Sequence, residues 1–167
     1  MKPDLYKVVW IGDGFLAVMA KPIAGEWIDD ELRAIAKEGI IKIVSLLGRH
    51  EAFEVGLEQE NEYAQKNAME FVSYPIQDRG LPSSVKEFSH FTHHLYHDIA
   101  TGKNTVIHCR AGIGRTGLVA AGVLLHHGFK PDEAFKHISQ KRGVQVPDTE
   151  EQYKWIVSNH HLIIKGG

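Results

Sequence analysis

Cysteine is almost missing from this chain: 167 residues carry one, Cys109. No intrachain disulfide can form, and a reducing compartment, the cytoplasm, is the expectation. Long apolar runs are missing as well. None approaches the ~18 residues that mark a membrane-spanning helix. Neither sign of charge dominates: 19 Lys and Arg face 21 Asp and Glu, a net charge of −2. That excludes the strongly basic footprint of a nucleic-acid or acidic-membrane binder. Lys2 is followed by Asp4, and the first apolar run breaks at Gly12-Asp13-Gly14, so no signal peptide is expected. Repeats, linkers and low-complexity tracts are absent. What remains is ordinary globular composition, 43% apolar and 24% charged. It reads as a single domain over 1–167, with enough chain to bury a core.

Strand and helix patterns alternate along the chain. Tyr6 to Ile11 and Phe15 to Met19 are strand-like around the Gly12-Asp13-Gly14 turn. Trp27 to Lys37 is an amphipathic helix stopped by Gly39. Ile40 to Leu47 is a continuous apolar run, as in a parallel strand covered on both faces. Gly48-Arg49-His50-Glu51 follows its C-terminal end, where open α/β sheets place ligand loops. Arg49 is a candidate contact there, although a solvated charge is the plainer reading. Phe53 to Ala68 is polar and helix-compatible, weakened at Gly56, and Glu58, Glu60 and Glu62 read as a solvated face. Glu70 to Ile76 is a strand. Val85 to Ala100 is a helix with Val85, Phe88, Thr92, Leu95 and Ile99 on one stripe. Its His90, His93, His94 and His97 pair at i,i+4 but project opposite that stripe. They read as a wet face with adventitious metal affinity at most. Leu118 to His127 is a buried helix stopped by Gly128. Pro131 to Lys141 is a helix whose first turn suits Asp132 and Glu133. Asp148 or Thr149 caps a last helix to about His160. Such alternation predicts a mostly parallel α/β sandwich.

The chemistry concentrates in Thr105–Gly117. A β-branched run, Thr105 to Ile107, leads through His108 and Cys109 into a loop with Gly112 and Gly114, then into a helix. Such a loop aims backbone N–H groups and a helix N-terminus at one point, which suits an anion. A thiol at a helix N-terminus beside arginine is the setting that yields thiolates. Arg115, six positions on, presents a planar fork that matches two oxygens of an oxyanion. Thr116 brings a hydroxyl near the sulfur, and His108 can orient the cysteine. A lone cysteine is usually a small buried hydrophobe; the surrounding loop argues otherwise. Gly112 to Gly117 also satisfies G-x-G-x-x-G, the dinucleotide fingerprint. That reading wants an acidic residue at a second strand end, whereas Asp132 and Glu133 follow Pro131 and open a helix. It also leaves Cys109 and Arg115 idle.

His108-Cys109, five residues, then Arg115-Thr116-Gly117 resembles the signature loop of the cysteine-dependent protein tyrosine phosphatase superfamily. Ala111-Gly112-Ile113-Gly114 resembles its compact dual-specificity and cyclin-dependent-kinase-inhibitor-associated branches. The likeness runs from about Ile41 to Trp155. It implies a central sheet of about five strands with helices on both faces. It implies phosphomonoester hydrolysis through a phosphocysteine: Cys109 is the nucleophile, Arg115 and the loop from Arg110 through Ala111, Gly112, Ile113 and Gly114 bind phosphate, Thr116 steadies the thiolate, and His108 orients it. Expelling an alkoxide requires a proton donor. Asp78, with Pro82 four residues later, fits the family's acid loop, although Ile76-Gln77 replaces its Trp-Pro. The family's water-positioning Gln-Thr-x-x-Gln stretch is Asp148-Thr149-Glu150-Glu151-Gln152 here, with Asp in the first place. The resemblance also implies a phosphorylated protein or peptide as substrate, no nucleic-acid or membrane partner, a monomer, and no metal or other cofactor. Only Arg110 of the two loop positions Arg110 and Ile113 is basic, which disfavours phosphoinositides. Retention of Cys109, Arg115 and Asp78 argues against a non-catalytic phosphoprotein-binding module.

Overall fold

The structure, a computed structural model, describes residues 2–166. Its elements run β1 (Tyr6–Ile11), β2 (Gly14–Met19), α1 (Ile28–Lys37), β3 (Lys42–Ser45), α2 (Arg49–Glu54), α3 (Glu60–Lys66), β4 (Glu70–Ser73), α4 (Val85–Ala100), β5 (Thr105–His108), α5 (Gly114–His126), α6 (Pro131–Arg142) and α7 (Glu150–Lys165). The five strands form one sheet in the order β1-β2-β5-β3-β4. Only the β1–β2 hairpin is antiparallel; β5 pairs in parallel with β2 and β3, and β3 with β4. This is the expected mostly parallel α/β sandwich.

Side-chain alternation in β2 divides the core. Phe15, Ala17 and Met19 point to one face, where Ile43 and Val106 meet Leu32 and Ile35 of α1 and Ala64 of α3. Leu16 and Val18 point to the other, where Val44 and Ile107 meet α4, α5, α6 and α7. A two-residue period allows no other partition. In β1, Val8 and Ile11 enter the same cluster although three residues apart. The pairing slips between Lys7 and Val9, and such a bulge re-aims the following side chains.

Helix α5 lies at the centre of the second layer: Arg115 through Leu125 are all buried. Gly122 permits this, since a Cβ there would stand 2.7 Å from the Phe88 ring of α4. Phe88 in turn meets Trp155 of α7 edge-on, with centroids 5.0 Å apart. Lys42 is a charged residue inside the apolar run of β3, buried and ion-paired with Asp98 of α4. No helix among the described residues is long and apolar enough to cross a membrane.

Several boundaries differ from expectation. Phe53–Ala68 is not one helix: α2 ends at Glu54, and Gly56 turns with φ +77° before α3 begins. Residues 49–51 are the first turn of α2, not loop. Helix α5 starts at Gly114 rather than Leu118, and α7 continues to Lys165. Thr149, not Asp148, caps α7, accepting from the Gln152 N–H at 3.1 Å. The histidines of α4 do not form a uniformly wet face. His90, His94 and His97 are exposed, but His93 packs edge-on against His126 of α5 at 5.2 Å.

Candidate active site

Strand β5 ends between β2 and β3, the point from which the sheet is built outward in both directions. Ligands of open α/β sheets bind at such switch points. The loop leaving β5 carries Cys109 and runs into α5. Its shape is set by where its carbonyls go. The Cys109 carbonyl lies 3.1 Å from His108 Nδ1. That of Arg110 accepts from the Lys21 backbone N–H at 2.9 Å. Arg142, in the last turn of α6, donates to Ala111 O at 2.8 Å and Gly112 O at 3.2 Å. Four consecutive carbonyls are thus held on the outside. Because a trans peptide points C=O and N–H in opposite directions, the amides of Arg110, Ala111, Gly112 and Ile113 turn the other way. Gly112 makes the turn possible: its φ is +72°, and a Cβ would fall 2.4 Å from Met19 O.

Inside the curl is a pocket of about 220 Å³, lined by Cys109, Arg110, Ala111, Ile113, Gly114, Arg115, Asp78, Arg79, Asp148 and Gln152. Cys109 is 3% exposed and forms part of this lining. Thr116 Oγ1 donates to its Sγ at 3.0 Å. Of the sequence-derived candidates, Cys109, Arg115 and Asp78 line the pocket with Arg110, Ala111, Ile113 and Gly114; Thr116 touches the sulfur, Gly112 shapes the turn, and His108, wholly buried, reaches the site only through the Cys109 carbonyl. Arg49 does not line this pocket; it opens α2, exposed.

Arg115 is 2% exposed and fully occupied at its tips. Nη1 donates to Glu51 Oε1 at 2.7 Å and to Ile76 O at 2.9 Å; Nη2 donates to Glu51 Oε2 at 2.9 Å and to Asp78 Oδ1 at 3.2 Å. Burial works against the Arg115 cation, but the Glu51 hydrogen bonds and the neighbouring acidic groups outweigh it and hold the guanidinium above its ordinary value. Reciprocally, the Arg115 hydrogen bond keeps the Glu51 carboxyl below the ordinary carboxylate range against the burial that raises it. Glu51 also accepts from Arg110 Nε at 2.8 Å. The Asp78 loop is tied across the pocket, by Arg79 to Asp148 at 2.9 Å and by Gln152 Nε2 to Gly80 O at 3.2 Å.

Three of these residues escaped sequence reading. Glu51 and Arg142 are distant in sequence from the loop they serve. Glu60, assigned to a solvated face, is 2% exposed and reaches His108 Nε2 at 2.6 Å. Glu60 and Ala64 are the buried residues of α3, one turn apart, a spacing that becomes a signal only once the start of that helix is known. Among the described residues, no group of three or more His, Cys, Asp or Glu is placed to hold a metal ion.

The profile of the Swiss Army Knife protein DSP-PTPase phosphatase domain, PTP-SAK, matches residues 6–157. The chain belongs to that family. Curated relatives of this phosphatase domain include 197R of Invertebrate iridescent virus 6, which is named as a tyrosine phosphatase. It is 30% identical over 105 residues, 60% of this chain and 36% of that protein. Human cyclin-dependent kinase inhibitor 3 is 31% identical over 85 residues, 50% of this chain and 40% of that protein. The domain thus aligns with well under half the length of each. A crystal structure of kinase associated phosphatase, its catalytic-site cysteine replaced by serine, superposes with a TM-score of 0.87. That match has 20% identity and covers 100% of this chain and 98% of that one. The likeness extends the phosphatase-domain fold over the whole chain, including the N-terminal hairpin, where the sequence motif is silent.

Proposed function

We propose that this domain hydrolyses phosphomonoesters on proteins, phosphotyrosine foremost and phosphoserine and phosphothreonine as well, through a phosphocysteine. The observation that carries the reading is the sulfur in the lining of an amide-walled pocket, with the Thr116 hydroxyl on it and Arg115 beside it. In the first step the Cys109 thiolate forms an S–P bond in line while the ester P–O bond breaks. Asp78, as the acid, gives its proton to the departing oxygen. Arg115 and the inward amides hold the equatorial oxygens as charge builds. In the second step water attacks phosphorus and Asp78, now a carboxylate, takes its proton. The S–P bond breaks, and Thr116 stabilises the released thiolate. Gln152, in the pocket wall, is the candidate to orient that water. A thiol that works only when reduced fits the cytoplasm.

The test is a panel of phosphotyrosyl, phosphoseryl and phosphothreonyl peptides with a phosphoinositide, run with chelator present. Turnover of the peptides by wild type, and none by Cys109→Ser, is the expected result. Undiminished turnover by Cys109→Ser refutes the nucleophile assignment; preference for the phosphoinositide refutes the substrate class.

A further inference from the structure

Glu60 has no part in the reaction proposed above, yet this α3 carboxylate is buried against a histidine side chain that is itself wholly buried. Its Oε2 lies 2.6 Å from His108 Nε2. The other ring nitrogen, Nδ1, faces the Cys109 carbonyl at 3.1 Å. A carbonyl oxygen only accepts, so Nδ1 carries a hydrogen. A carboxylate oxygen and a ring nitrogen at 2.6 Å need a second proton between them. The pair therefore holds one proton more than a neutral imidazole and a carboxylate would, and its net charge is zero. An uncompensated charge of either sign at this depth would be strongly disfavoured.

The consequence reaches the pocket through one peptide plane. With the Cys109 carbonyl fixed on His108, the Arg110 N–H points to the opposite side, toward the curl. Released, that plane could rotate, and the first amide of the anion cradle and the backbone of the sulfur-bearing residue would lose orientation together.

We propose that Glu60 is a positioning residue for the nucleophile: sharing a proton with His108, it locks the Cys109–Arg110 peptide so that the Arg110 amide faces the sulfur and the bound oxyanion. The inference rests on Cys109 being the nucleophile. The other charged groups around the sulfur are Arg115 from α5, Asp78 and Arg79 from the acid loop, Arg110 from the same loop as Cys109, Asp148 ahead of α7, and Glu51 from α2 behind Arg115. Arg49 and Glu58 share with Glu60 a cavity of about 480 Å³ lined from α2, α3 and the ends of β3 and β4.

Two variants separate tether from charge. In Glu60→Gln the side-chain amide donates to Nε2 while Nδ1–H stays on the carbonyl, so the tether survives and the shared proton is lost. Glu60→Ala loses both. With p-nitrophenyl phosphate, kcat/KM falls about 3–10-fold in the Gln variant and about 30–100-fold in the Ala variant. Inhibition by inorganic phosphate weakens in the Ala variant. Iodoacetamide alkylation of Cys109, which requires no turnover, reaches half its plateau at higher pH in both. A purely structural Glu60 would lower Tm in both variants while leaving kcat/KM per folded molecule and the alkylation profile at wild-type values; that result overturns the proposal. Should Glu60→Ala not fold, Glu60→Gln decides alone by the same two readouts. If wild type alkylates at Cys109 but hydrolyses no phosphoester, the functional reading fails while the alkylation comparison still judges Glu60.

Discussion

Glu51→Gln probes how much of the site depends on one carboxylate. In the native protein Glu51 takes both tips of Arg115 at 2.7 and 2.9 Å and the Arg110 Nε at 2.8 Å. The Arg115 side chain is 2% exposed and that of Glu51 15%, so water screens this pair little. A glutamine keeps the shape, but one of its two oxygens becomes an NH₂ that meets an N–H donor head-on. Hydrogen bonds to charged groups contribute about 1.5–3 kcal/mol each and neutral ones about 1. Loss of two charge-assisted bonds, plus a charge left without its partner, comes to about 3 kcal/mol. That sits at the lower end of the 3–5 kcal/mol typical of a broken buried pair, as suits a carboxylate at the wet edge. For a chain of this length the shift is about 6–12 °C in Tm. Arg115 keeps its bond to Ile76 O but loses its end-on clamp, and kcat/KM toward p-nitrophenyl phosphate falls about 10–100-fold. Glu54→Gln is the control: Glu54 stands 3.6 Å from Arg110 Nη2, half exposed, so its loss changes Tm by no more than about 2 °C. The pH dependence carries a definite sign. The Glu51 carboxyl is held below its ordinary 4.5, so its contribution is complete above that value and disappears as pH falls through the native value. The Tm gap between wild type and Glu51→Gln is therefore constant from neutral pH down to about 4.5 and closes below it. A variant with wild-type Tm and kcat/KM, or a gap that widens in acid, refutes the role given to Glu51.

Three further outcomes are expected. His126, half-buried beside His93, has its pKa lowered to about 4, chiefly by burial; the unfolded chain therefore binds more protons than the native one between about 6.5 and 4, and roughly 3 kcal/mol of stability is lost on descending through that window. His126→Gln flattens it in denaturant titrations at stepped pH, and an unchanged slope counts against the assignment. Lys42→Met strands Asp98 and costs about 3–4 kcal/mol, whereas Lys42→Met with Asp98→Leu recovers most of it; equal loss in the single and double variants would show that packing, not charge, sets the cost. Arg142→Ala frees the Ala111 and Gly112 carbonyls and raises the phosphate inhibition constant about tenfold, measured against p-nitrophenyl phosphate; an unaltered constant would mean that the loop holds its curl without Arg142.

What the sequence disclosed divides along contact distance. The Cys109 loop is local: strand, glycines and helix start follow each other within Thr105–Gly117, and their shared geometry needs no knowledge of the rest of the fold. Asp78 was reached by chemical necessity, and its neighbour Pro82 marked the loop. Glu51, Glu60 and Arg142 act on residues between 30 and 64 positions away, and no spacing rule connects them. Glu60 shows the mechanism of the miss. In the string Glu58, Glu60, Glu62 the three carboxylates look equivalent, and only the turn at Gly56 fixes which of them lies inward with Leu57 and Ala64. In β2 every residue from Phe15 to Met19 is apolar and buried, so the sequence marks a strand there without showing which residues share a face, and the partition of helices between the two sides of the sheet came only with the connections.

The saturation of Arg115 has a thermodynamic consequence. Its Nη hydrogens are all spoken for by Glu51, Ile76 and Asp78, so an oxyanion arriving there cannot simply be added. It must evict Asp78 from Nη2, the longest of the four contacts, so part of its binding free energy is consumed in breaking an ion pair already made. Calorimetry of phosphate association by wild type and by Asp78→Ala reads that cost directly, before any bond to phosphorus is made: the variant binds phosphate more tightly.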